Sequence, residues 1–155
     1  MANAPQLDAS VAHQFFAADC FNKAWELIDK PSRTAEEDEQ MLLLSMSSAW
    51  HWTQRPDCTE QNMSAAYWQI SHVYALLNQA DNARRYGALA LAKAQAKGVP
   101  PFFLAYAYEA LARAEMVAGN KEQMQAHLAK ARRAVKRLTD AEAQKMLLSD
   151  LEKIG

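Results

Sequence analysis

Ala66-Tyr67-Trp68-Gln69-Ile70-Ser71-His72-Val73-Tyr74 and Ala107-Tyr108-Glu109-Ala110-Leu111-Ala112-Arg113-Ala114-Glu115 are two versions of one pattern, offset by 41 residues. The same offset carries Asn78 onto Gly119, Ala83 onto Met124 and Ala90 onto Ala131 without a gap. In each copy an aromatic residue (Tyr67, Tyr108) is followed by an aliphatic one (Ile70, Leu111) and at once by a small one (Ser71, Ala112). A turn residue comes next (Asn78, Gly119), and a small residue closes the unit (Ala90, Ala131). A helical period broken at its centre by a turn residue predicts a helix-turn-helix unit. Two in tandem predict a stack, because one helix pair cannot cover its own apolar face.

Composition agrees with helices throughout. Half of the 155 residues are apolar, enough for a continuous core in one domain spanning 1–155, and only 4 Gly and 5 Pro punctuate the chain. Ala, Leu, Met, Gln, Glu, Lys and Arg dominate, which favours an all-α fold. Met1 to Leu7 has no basic residue followed by an apolar run, and no apolar stretch is long enough to cross a bilayer. Cys20 and Cys58 lack metal or redox spacing and read as reduced thiols, so a cytoplasmic protein is expected.

Outward from the repeats, seven helices are expected. A first runs from about Asp8 to Asp29, with Val11, Phe15, Ala18, Phe21, Trp25 and Ile28 recurring at steps of three and four. Pro31 stops it. Thr34 with Glu37 predicts a capping box for the second helix, which ends near Gln54. Met41, Leu42, Leu43, Leu44, Met46, Trp50 and Trp52 lie on nearly all its sides, so it should be covered by neighbours. Residues 8–54 thus read as a divergent first helix pair, and aligning Lys30-Pro31 with Asn78 sets Ala35 on Ala83. Asp57 or Thr59 can cap the third helix, which with the fourth makes a repeat over 59–97. Gly98-Val99-Pro100-Pro101 separates it from a repeat over 101–138, in which Asn120 and Gln123 suit another capping box. Thr139 with Glu142 would open a capping helix within 139–154, whose Met146, Leu147, Leu151 and Ile154 close the end of the stack.

This pattern resembles the tetratricopeptide repeat, in which small positions let the two helices of a pair approach closely and large ones fill the space between pairs. The chain also resembles short uncharacterised bacterial proteins of that type. The period exceeds the usual repeat of about 34 residues. Met124 and Gly87 stand where a small and a bulky residue are the rule. The resemblance implies a superhelix of about seven antiparallel helices whose first-of-pair helices line a concave groove. Its groove positions fall on Ala65, Trp68, His72 and Ala75 in one repeat and on Tyr106, Glu109, Arg113 and Met116 in the next. The function it implies is a non-catalytic protein-protein interaction scaffold that captures a peptide or partner helix. Trp68 and Tyr106 would be apolar anchors, and His72, Glu109 and Arg113 would fix orientation. Read without the resemblance, Glu109 and Arg113 are an ordinary i,i+4 ion pair and Trp68 is core.

The residues leave one alternative in a different class. His13, His51 and His72 lie on three successive helices, and three converging imidazoles would suit a small-molecule or metal-binding, even enzymatic, site. No two of them have helical metal-motif spacing, and a buried histidine satisfied by a hydrogen bond is the commoner outcome. Neither a phosphate-cradling glycine loop nor a nucleophile signature is present, so no enzyme activity and no cofactor are expected.

Charge is unevenly spread. Between Asp81 and Arg137 eleven basic residues face four acidic ones, a net +7 in a chain of net −1. Most of the excess falls on the fourth and sixth helices and reads as a solvated face. No stacking aromatics are interleaved with these cations, which argues against nucleic acid as partner. An acidic first half meeting the basic half of another copy would give a salt-sensitive homodimer.

Overall fold

The computed structural model describes residues 8–155, in which seven α-helices and no strands are formed. None of these helices is long and apolar enough to cross a membrane. The chain divides into two compact units, Met1–Cys58 and Thr59–Gly155. The boundary falls between Cys58 and Thr59, just after the Arg55-Pro56-Asp57 break that follows the second helix and before the third.

The first unit is a hairpin of α1 (Ala9–Ile28) and α2 (Ala35–Thr53). Asp8 caps α1 by accepting from the amides of Ser10 and Val11, and Thr34 and Glu37 form the reciprocal capping box expected for α2. Between them Lys30 pairs with Glu37, and Arg33 Nε donates to Asp38 Oδ1 at 2.7 Å. Small residues set the spacing of the pair. Ala17, Ala24, Ser45, Ser48 and Ala49 are buried, and Ser48 Oγ donates to the Ala17 carbonyl at 2.7 Å. Two expectations fail here. Leu43 and Trp50 are 57% and 55% exposed, because within this unit α2 has a single partner helix and only one of its faces is covered by it. Ala35 is exposed where Ala83 is fully buried, so the proposed register between the first pair and the repeats does not hold at that position.

The second unit contains α3 (Glu60–Leu76), α4 (Ala80–Ala94), α5 (Pro101–Ala118), α6 (Lys121–Val135) and α7 (Ala141–Glu152). The two hairpin turns are alike bond for bond. Asn78 and Gly119 both have left-handed backbone, at φ 58° and 73°. The amide of Gln79 donates to the Tyr74 carbonyl and that of Asn120 to the Glu115 carbonyl, each at 2.9 Å. Asn78 and Gly119 likewise donate to Ala75 and Met116. Both ends are therefore Schellman caps, a geometry that glycine enters freely and asparagine more easily than most residues. Every partner in one turn is the residue 41 positions beyond its counterpart in the other, so the offset read from the sequence is also an offset in structure.

Packing follows from the same positions. α3 packs on α4 and α5, α4 also on α5, and α5 on α6 and α7. Ser71 Oγ donates to the Ala83 carbonyl at 2.8 Å and Ser64 Oγ to the Ala90 carbonyl at 3.0 Å, which pins α3 antiparallel to α4 at close approach. The equivalent contact faces in the second pair include Ala105 and Ala131, both fully buried. Gly87 departs from the repeat pattern for a visible reason: a Cβ there would stand 3.0 Å from Leu111 Cδ2, so α4 and α5 meet at that point through the missing side chain. Met124, the other departure, is buried in the core shared by α5, α6 and α7, beside Leu128, Leu147, Leu151 and Ile154. Burial of a side chain such as Leu128 contributes roughly 1.5–3 kcal/mol. Ile154 and Leu151 bring α7 onto this core as expected, while Met146 is 49% exposed. Asp140, rather than Thr139, caps α7 by accepting from the amides of Glu142 and Ala143. Thr59 caps α3 with Asn62 in a reciprocal box, and Asn120 caps α6 by accepting from the Gln123 amide.

Candidate functional site

Because α3 runs antiparallel to α4, and α4 to α5, the helices α3 and α5 are parallel neighbours. Equivalent positions of the two repeats consequently meet. Trp68 Nε1 donates to Glu109 Oε2 at 2.8 Å, a contact between residues 41 apart. One turn further along α5, Arg113 Nε donates to Glu109 Oε1 at 2.8 Å, and Arg113 Nη2 reaches the same oxygen. The carboxylate of Glu109 is thus engaged on both oxygens while its side chain is only 2% exposed. Tyr106 lies one turn before it, with its ring centroid 4.6 Å from that of Trp68, and His72 is 6.2 Å from Trp68 on the other side. All five residues expected at the groove form one connected cluster.

Their exposure differs from that expectation. Trp68, His72 and Arg113 are partly exposed, with the Arg113 side chain at 14%. Tyr106, Glu109 and Ala75 are buried, so they cannot line an open groove. Ala75 is sealed with Ala83 and Ala114. Tyr106 is turned toward α7, where its hydroxyl donates to Asp150 Oδ2 at 3.0 Å. Burial first, and the Asp150 charge second, push the phenol well above its ordinary range, so it stays a neutral donor. Ala65 and Met116 are half-buried. Glu109 and Tyr106 therefore stitch helices together, and the accessible edge is Trp68, His72 and Arg113.

A second buried carboxylate was not singled out from sequence. Glu115, two turns below Glu109, accepts from Arg84 Nε at 2.7 Å and Arg84 Nη2 at 2.9 Å, a bidentate pair linking α5 to α4. The hydrogen bond from Arg84 holds the Glu115 carboxyl below its ordinary value, and Arg84 in turn is raised by it. The only sequence cue was two acidic residues, Glu109 and Glu115, in an otherwise Ala-rich helix.

The basic residues divide sharply. Arg84, Lys93 and Arg113 are ion-paired. By contrast Lys130, Arg133 and Arg137 form no ion pair among the described residues and, with Leu104, Tyr108 and Ala134, line a shallow cavity of about 260 Å³ between α5 and α6. His127, stacked on Tyr108 at 6.3 Å, is lowered from its ordinary value by burial and then by Lys130.

Of the three histidines considered for a metal, His13 and His51 meet. Their Nδ1 atoms are 2.8 Å apart in the first unit, and burial followed by the neighbouring imidazole lowers the His51 pKa. His72 belongs to the second unit and joins the Trp68 cluster instead. Among the described residues no group of three or more His, Cys, Asp or Glu is assembled to hold a metal ion. Cys20 is buried and Cys58 half-buried, both as free thiols.

No protein-family profile, curated protein or solved structure matches this chain.

Proposed function

We propose that the second unit is a tetratricopeptide-like superhelical stack and that the chain is a cytoplasmic, non-catalytic interaction module for a peptide or partner helix. The observation that carries this reading is the direct contact of Trp68 with Glu109. It makes the first helices of the two repeats parallel neighbours and leaves Trp68, His72 and Arg113 on one accessible edge. Roles follow from burial. Trp68 offers a flat apolar surface, and His72 a titratable ring beside it. The Arg113 guanidinium, whose Nε and Nη2 face Glu109, keeps Nη1 for a carbonyl or carboxylate of the bound segment. Glu109 and Tyr106 act as positioning residues: the carboxylate locks both the indole and the guanidinium before a partner arrives, which lowers the ordering cost of binding.

The test is a partner captured through a photo-crosslinking residue at position 72, with the same residue at exposed position 97 as the comparison. A tenfold or greater loss of its affinity on Trp68→Phe together with Arg113→Lys is expected. Unaltered affinity in that folded double variant places the binding surface elsewhere.

A further inference from the structure

We propose that His13 and His51 form a two-imidazole site for a divalent first-row transition ion, open in its remaining positions to water or an external ligand. The placement is specific. His13 lies early in α1 and His51 in the last turn of α2, so the hairpin brings both to one end of the first unit. The same atom of each ring, Nδ1, is directed at the other at 2.8 Å, and the ring centroids are 5.0 Å apart, so both nitrogens lie close to the line joining the rings. Without an ion, one Nδ1 must carry the proton and the other accept it.

Aromatic neighbours touch both rings. Trp50 meets both imidazoles edge-on, at 5.2 and 4.9 Å, and Phe16 lies 5.4 Å from His51. Both histidines are only half-buried, so an ion can reach them. A tetrahedral ion with bonds of about 2.0–2.1 Å would set the two nitrogens roughly 3.3 Å apart. The rings need to separate by about half an ångström and each to turn by roughly 35°, so that their lone pairs converge on the ion instead of on each other, a χ adjustment of about 30° per ring.

Among the described residues no third His, Cys, Asp or Glu completes the set, which makes this an exchangeable site with open positions rather than a closed structural one. Imidazole donors select ions such as Zn²⁺ and Cu²⁺ over Mg²⁺ or Ca²⁺, with Cu²⁺ the tighter of the two. The inference is independent of the Trp68–Arg113 reading, since it uses a different pair of helices.

The experiment is titration of the full chain with Cu²⁺ and Zn²⁺ by calorimetry, alongside electron paramagnetic resonance of the Cu²⁺ form. One equivalent of ion per chain is expected, with hyperfine coupling to two nitrogens. His13→Gln and His51→Gln should each weaken binding at least tenfold, while His72→Gln and His127→Gln leave it unchanged. Far-UV circular dichroism confirms that each variant is folded. Dissociation constants weaker than about 1 mM, a spectrum showing one nitrogen or none, or undiminished binding in folded His13→Gln and His51→Gln would overturn the proposal. Because the resonance measurement uses the unaltered chain, it decides the matter even if a variant fails to fold.

Discussion

Glu109→Gln is the most informative single change in the second unit. The substitution keeps the shape of the side chain but removes the charge that faces the Arg113 guanidinium, itself only 14% exposed. It also puts an amide group on one of the two positions where Arg113 and Trp68 now donate. A buried guanidinium that loses its partner is costly: breaking such a pair from one side typically destabilises by about 3–5 kcal/mol. Arg113 retains some solvent contact, so the lower end applies, and about 3 kcal/mol is expected. For a chain of this size that is a drop in melting temperature of roughly 6–12 °C. Replacing both partners, as Glu109→Met with Arg113→Met, leaves no orphaned charge and should recover at least half of the loss. Urea unfolding followed by circular dichroism, with the two single variants and the double variant in one cycle, measures this directly. A loss under about 1 kcal/mol for Glu109→Gln, or a double variant no better than the worse single one, would refute the account of Glu109 as a buried anchor.

Three further outcomes follow from the same geometry. The Glu115 carboxyl sits below its ordinary value near 4.5 because Arg84 stabilises the anion. The unfolded chain therefore binds the proton first, and the pair's contribution is present above that value and lost as pH falls through the folded pKa. Glu115→Gln should accordingly be less stable than the parent at pH 7 and converge on it in acid, as read from urea midpoints across pH 2–7. Gly87→Leu places a side chain against Leu111, where a Cβ alone would be 3.0 Å from Cδ2. A loss of about 2 kcal/mol is expected by thermal denaturation. Gly119→Ala meets no atom within 4 Å but must hold φ near 73°, so it should cost about 1 kcal/mol through the backbone alone. A variant as stable as the parent would contradict the left-handed cap.

The fold was readable in the chain to the extent that it rested on local chemistry. The offset of 41 residues was carried by turn residues and small residues, which report backbone geometry and close approach. The turns are repeated bond for bond at Asn78 and Gly119, and the small residues Ser64 and Ala90 and their counterparts Ala105 and Ala131 are all buried. The Thr34 cap was visible for the same reason, and of the two candidates Asp57 and Thr59 for α3 it is Thr59 that caps it. What could not be read was which face of a helix a later element covers. Tyr106 and Glu109 fall at groove positions by register, yet α7 lays Asp150 beside Tyr106, and the neighbouring repeat's Trp68 closes over Glu109. Long-range pairs such as Arg84 with Glu115 and His13 with His51 leave no periodic signature, because each joins residues whose spacing in sequence is set by a turn rather than by a helical period. The apolar surround of α2 misled in the opposite way: Leu43 and Trp50 remain exposed, as one helical neighbour in the unit covers only one face.

Everything proposed for the second unit depends on α3 and α5 being parallel neighbours in the register that joins equivalent positions. Nuclear Overhauser spectroscopy of the folded chain tests this most directly. The account predicts cross-peaks from the Trp68 indole Hε1 to the Glu109 methylenes and to the Tyr106 ring, together with slow solvent exchange of that indole proton. A rapidly exchanging indole proton with no cross-peak to Glu109 would contradict it.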